Sequence, residues 1–231
     1  MKRTSGTARD AGSLDATVAR MREVGAGCPP PDGVGVFNSV YLTVTEELAR
    51  RIGAGAFPDV RAASTLTTLF AGRYLDAVSA EAAGERVPAC WRPLFAQRRH
   101  PGVGPLQFAL AGIQAHVGHD LPLAVVDSCR ALGCRPAALE DEFDTVGEVL
   151  RSLEERVREE LMPGPDLLEL ADPLTHLAGA WSLDRARDGA WAAARTLWVV
   201  RGVEELGEEF VRRLDTSVGL VARMLLTPLR R

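Results

Sequence analysis

Apolar residues recur at steps of three and four along most of this chain, and that spacing limits what it can fold into. Leu139, Phe143, Val146, Leu150, Leu153 and Val157 keep the spacing for about five turns, with Glu and Arg covering the opposite face. Phe37, Val40, Tyr41, Val44, Leu48 and Ile52 form a second stripe. Leu66, Leu69, Phe70, Tyr74 and Ala77 form a third, and Trp191, Ala194, Leu197 and Trp198 a fourth. The β-branched residues around 40–45 favour a strand locally, but the length of the pattern favours a helix. No alternating run is long enough to anchor a sheet, and no unit repeats at a fixed period. The expected fold is all-α: a single-domain bundle of about seven to nine helices over residues 13–231, following a flexible N-terminus at 1–12.

Punctuation residues place the breaks. Three successive prolines between Cys28 and Asp32 stop any helix there. Asp59 is a candidate N-cap for a helix running to about Ala83, and Ser182 with Asp184 marks another start. Pro105 suits a first helical turn after Gly102–Gly104. A shorter helix broken near Pro173 is expected over 166–181.

Composition excludes some functions. With 27 basic and 31 acidic residues the formal net charge is −4, and Arg is scattered among Asp and Glu. Nucleic-acid binding needs a basic stripe, and pairs such as Arg98-Arg99 and Arg212-Arg213 do not make one. All the basic residues except Lys2 are Arg, which reads as the codon bias of a GC-rich, actinobacterial genome rather than as chemistry. Met1–Gly12 has charge but no apolar core behind it, so no secretory signal and a cytoplasmic setting are expected. The longest stretch free of Asp, Glu, Lys and Arg, His100–His119, contains His, Pro and Gly and reads as a buried helix, not a membrane span. Cys28, Cys90, Cys129 and Cys134 show no metal-finger or redox spacing and read as buried free thiols.

One segment breaks the apolar pattern. Ala109, Ile113, His116 and Asp120 share a helix face, so a His and an Asp stand where apolar groups are wanted. Burying an ionised Asp is costly unless it is paired or binds a metal. Pro122 cannot donate to the carbonyl of Gly118, and a kink is expected there in the central helix. Three readings follow. His116 and Asp120 form an acid/base pair, with Asp120 orienting the ring. Alternatively His116, His119 and Asp120, completed by His176 or Asp144, hold a divalent metal, although there is no HExxH and no paired Glu-x-x-His. In the third reading the two residues only bond each other and a neighbouring helix.

Further candidates to contact a small-molecule substrate are Asn38, Tyr74, Asp144, Arg187 and Trp191. Asn38 lies near an apolar face, where local hydrogen bonding competes with ligand contact. Tyr74 offers a hydroxyl to a cavity or serves as ordinary core. Arg187 and Trp191 are four apart and either line a cavity wall or belong to a solvated charge set. No glycine-rich phosphate loop, GxSxG elbow or Rossmann fingerprint occurs, so no nucleotide cofactor is expected.

Gly33–Tyr41, Phe57-Pro58-Asp59, Tyr74, Pro88–Pro93, Gly112–Leu121 and the Arg-rich run into Trp191 together resemble an actinobacterial family catalogued only as a domain of unknown function. The resemblance covers most of residues 32–200. Its marker is a helix reading Ala-His-x-Asn-x-Asp-Leu, matched by Ala115–Leu121 with Gly118 in place of Asn. Gly147 also stands where the family carries Asn. The resemblance implies a fold and, through those two departures, a pocket of this chain's own; it implies no activity. The function expected is a small-molecule-processing enzyme of specialised metabolism, performing cyclisation, elimination or hydrolysis through His116 and Asp120. A non-catalytic helical ligand-binding or interaction protein is the alternative.

Overall fold

A computed structural model describes residues 14–29, 31–161 and 182–228, with the side chains of 152–161 left aside. The helices are α1 (Leu14–Gly27), α2 (Gly33–Gly53), α3 (Val60–Ala82), α4 (Arg92–Gln97), α5 (Pro105–Ala115), α6 (Leu121–Leu132), α7 (Glu140–Leu161), α8 (Leu183–Val200) and α9 (Glu204–Leu225). A π turn, His116–Asp120, joins α5 to α6, so 105–132 is one continuous rod. There is no strand among the described residues, and the helices form one compact bundle. None of the described helices is long and apolar enough to cross a membrane. The helix expected over 166–181 lies outside the described residues.

The expected caps are in place. Asp59 accepts from the backbone N–H of Ala62 at 2.9 Å, and Ser182 from that of Arg185 at 3.4 Å. Asp32 caps α2 through the N–H of Val34 at 2.9 Å, and Arg98 pairs with the same carboxylate at 2.7 Å. Pro105 opens α5, and Gln107 two residues later ties that end to the end of α9. Its amide donates to the carbonyls of Leu225 and Thr227 at 2.8 and 2.9 Å.

The central rod is surrounded. α2 packs on α1 and α5, α3 packs on α6, α8 on α6 and the π turn, and α9 on α5 and α4. Trp91, Tyr74, Phe37, Met21, Leu66 and Leu94 are the largest side chains fully out of water at its centre. Each burial of that size contributes about 1.5–3 kcal/mol. Buried hydroxyls are satisfied within their own helices: Thr45, Thr67 and Ser128 donate to carbonyls four residues back.

The irregularity expected near Pro122 is the π turn just before it, and the rod is not interrupted there. Leu121 donates its N–H to the carbonyl of His116, five residues back, and Pro122 follows in the first turn of α6. Proline's missing donor is tolerated where helical pairing is already re-phased, and π turns of this kind concentrate at functional sites.

Candidate functional site

Five elements supply the site. The π turn carries His116, His119 and Asp120; the connector after α3 carries Cys90 and Trp91; α9 carries Asp215; α2 and α3 carry the surrounding aromatic rings. Gly219 lets α9 approach the connector, because a Cβ there would stand 2.6 Å from the carbonyl oxygen of Ala89. One turn earlier, Asp215 accepts the N–H groups of Ala89 and Cys90 at 2.9 and 2.8 Å. The carboxylate thus fixes a stretch of backbone that has no helix of its own.

Asp120 is the hub. Its Oδ2 accepts from the indole of Trp91 and pairs with Nδ1 of His116, both at 3.0 Å. Its Oδ1 pairs with Nδ1 of His119 at 2.8 Å. Burial pushes the Asp120 carboxyl up, but hydrogen bonds from His116 and His119 outweigh it and hold the pKa at about 2. An ionised carboxylate only accepts, so Nδ1 carries the proton on both rings.

That leaves Nε2 of His116. It is buried and has no hydrogen-bond partner among the described residues. The ring stacks on Phe70 at 3.6 Å and 5°, and Tyr41 meets it edge-on at 4.4 Å. Phe37, Trp91 and Tyr74 stand about 6 Å away. Desolvation by this box holds the imidazole below its ordinary pKa, with the Asp120 interaction opposing it. The result is a neutral ring with a bare lone pair, oriented from behind by a carboxylate. An unsatisfied buried nitrogen costs about 1–3 kcal/mol, so its persistence calls for an explanation.

His119 faces different company. Its Nε2 lies 3.9 Å from Oδ1 of Asp215. The thiol of Cys90, a ring nitrogen of His119 and a carboxylate oxygen of Asp120 lie within 4.8 Å of one another, all buried. Burial pushes the Cys90 thiol well up, helped by the nearby carboxylates of Asp120 and Asp215.

Asp215 also reaches a cleft of about 850 Å³ whose lining includes Arg73, Arg130, Arg201, Arg212 and Asp127. That volume is within the range of small-molecule sites. Arg73 and Arg130 both pair with Asp127. His116, His119 and Asp120 do not line this cleft.

The other sequence candidates divide. Tyr74 joins the aromatic box, fully buried, and its hydroxyl donates to Asn38 at 3.2 Å. Asn38 in turn donates to the carbonyl of Met21 at 2.9 Å, so its bonds tie α1 to α2 and α3 and are not local. Arg187 and Trp191 form a separate cluster with Phe143. Arg187 is buried, donates to the Phe143 carbonyl at 2.8 Å and lies over the Phe143 ring, so it is no solvated charge. Trp191 packs on the same ring at 4.6 Å. Asp144 is exposed, 3.9 Å from Arg187. Gly147 has its reason here, since a Cβ would stand 2.0 Å from the Arg187 guanidinium. His176 lies outside the described residues. Cys90, Trp91 and Asp215 were not legible as site residues, although Asp215 shares a helix face with Val211, Val218 and Ala222, the same anomaly that marks Asp120.

A model of a family of unknown function, DUF5995, matches residues 14–228. The chain belongs to that family. The match extends the resemblance read from residues 32–200 to nearly the whole chain and takes in every described member of the site. No curated protein matches this DUF5995 chain, and no solved structure does.

Proposed function

We propose that this DUF5995 protein is a small-molecule-processing enzyme in which His116 is the general base and Asp120 orients it. One observation carries the reading: Nε2 of His116 is buried, bare and backed by a carboxylate on the opposite nitrogen. An oriented imidazole with a free lone pair in an apolar box is suited to taking a proton from carbon or from water. Cyclisation, elimination and hydrolysis are the reaction classes it serves, and none needs a nucleotide. The cleft beside Asp215 is of a size to admit the substrate. The setting we assign, cytoplasmic specialised metabolism, rests on composition and on four free cysteines, which suit a reducing compartment.

A separate observation favours the second reading, a non-catalytic ligand-binding or interaction protein: His116 and Asp120 are both 2% exposed and do not line the cleft. Incubating wild type and His116→Gln with a bacterial metabolite extract, followed by mass spectrometry, separates the two. The enzyme reading expects a metabolite consumed by wild type and spared by the variant. Equal profiles, with both proteins folded, sink it.

A further inference from the structure

The three donors beside His119 fit a function that the general base does not need. We propose that Cys90, His119 and Asp120 bind a divalent cation, zinc(II) by the chemistry of the set, with Asp215 beside it.

The donors come from two distant stretches of chain, the connector after α3 and the π turn, and all three are buried. A sulfur, an imidazole nitrogen and a carboxylate oxygen together suit zinc, whereas magnesium and calcium take oxygen ligands. Zinc–ligand bonds of about 2.0–2.3 Å set two donors of a tetrahedral ion roughly 3.3–3.8 Å apart. Donors within 4.8 Å of one another reach that by small side-chain shifts.

Two further features point to a cation. In the metal-bound form His119 ligates through Nδ1, the nitrogen 2.8 Å from Oδ1 of Asp120, and its proton moves to Nε2, 3.9 Å from Asp215; Trp91 and His116 hold only Oδ2 of Asp120, which leaves Oδ1 for the ion. The carboxylates at the site, Asp120 and Asp215, also have no directly bonded arginine among the described residues. Asp120 is buried, and a cation beside it lowers the cost of keeping its charge out of water. On binding, the Cys90 thiol gives up its proton to solvent and ligates as thiolate.

The test uses the full chain, stripped with a chelator and titrated with cobalt(II), which takes zinc sites and reports them by colour. We expect about one equivalent bound, tetrahedral ligand-field bands and a thiolate-to-cobalt charge-transfer band. Cys90→Ser removes the charge-transfer band and weakens binding at least tenfold; His119→Ala weakens it comparably. Cys134→Ser leaves the spectrum unchanged. Zinc-edge X-ray absorption on the wild-type protein keeps the test open if a variant fails to fold, with one sulfur in the first coordination sphere as the expected result. No stoichiometric binding, no sulfur at the metal, or a charge-transfer band that survives in folded Cys90→Ser overturns the assignment. None of these readouts depends on turnover, so the metal site and the enzymatic reading stand or fall separately.

Discussion

His116 and His119 are three residues apart and bond the same carboxylate, yet they sit in opposite environments. The Oδ2 side of Asp120 is dry and aromatic: Phe70 stacks on His116, Tyr41 closes it edge-on, and Trp91 donates to the shared oxygen. The Oδ1 side is polar: His119 looks toward Cys90 and Asp215, and Asp215 opens onto the cleft. One carboxylate can therefore prepare two imidazoles for different work. On the first side, desolvation keeps the ring neutral and its lone pair bare. On the second, a thiol, a ring nitrogen and a carboxylate oxygen converge where a cation can sit. Environment, more than residue type, separates the roles.

The largest expected effect comes from removing the hub. Asp120→Ala strands three buried donors at once and should cost about 3–5 kcal/mol in urea denaturation, the range for breaking a buried charged network. It should also abolish both turnover and cobalt binding. A loss below about 1 kcal/mol would mean the carboxylate is not the organising element.

Acting on one side alone sharpens the contrast. His116→Gln should lower turnover of the metabolite at least hundredfold, the scale of general acid–base catalysis, while the thermal midpoint moves only a few degrees. A variant retaining most of its activity would place the chemistry on the His119 side.

A buried charged residue away from the hub gives the next measure. Gly147→Ala should destabilise by about 1–3 kcal/mol, because its Cβ meets the Arg187 guanidinium. Arg187→Met in the same chain should recover most of that loss. Turnover at matched folded fraction should not change, since Arg187, Phe143 and Trp191 form a cluster of their own. Independent losses in the double variant would refute the steric account.

The smallest effect concerns the cleft. Arg130→Ala should leave stability within about 0.5 kcal/mol, as exposed ion pairs contribute little. If the substrate enters beside Asp215, KM rises several-fold with kcat unchanged. An unchanged KM would move the entrance elsewhere.

What the sequence disclosed was local. The Asp59 and Ser182 caps, Pro105 at a first turn and the apolar stripes are short-range patterns, and so is the pairing of His116 with Asp120 four residues on. What it hid was brought together by tertiary packing. Trp91 and Cys90 belong to a connector with no periodicity to judge them by, and Asp215 is distant in sequence from both of its backbone partners. Asn38 carried a local expectation because side-chain amides often bond nearby backbone, yet it links three helices. Arg187 looked solvated because its neighbours Asp184 and Asp188 are exposed, while the space that receives its head group is made by Gly147 on another helix.

The π turn has a consequence for how this chain tolerates change in length. A regular helix advances about 100° per residue, and a π turn accommodates one residue more than the regular count. In effect 116–120 is a single-residue insertion that leaves α5 and α6 out of phase with one another. A helical wheel drawn over 105–132 as one helix would mis-assign the faces of one half. Deleting Val117 would restore ordinary pairing and turn every side chain on one side of it by a quarter-turn or more, leaving His116 and Asp120 one helical turn apart but carrying one of them out of its present surroundings, with the composition of the rod almost untouched.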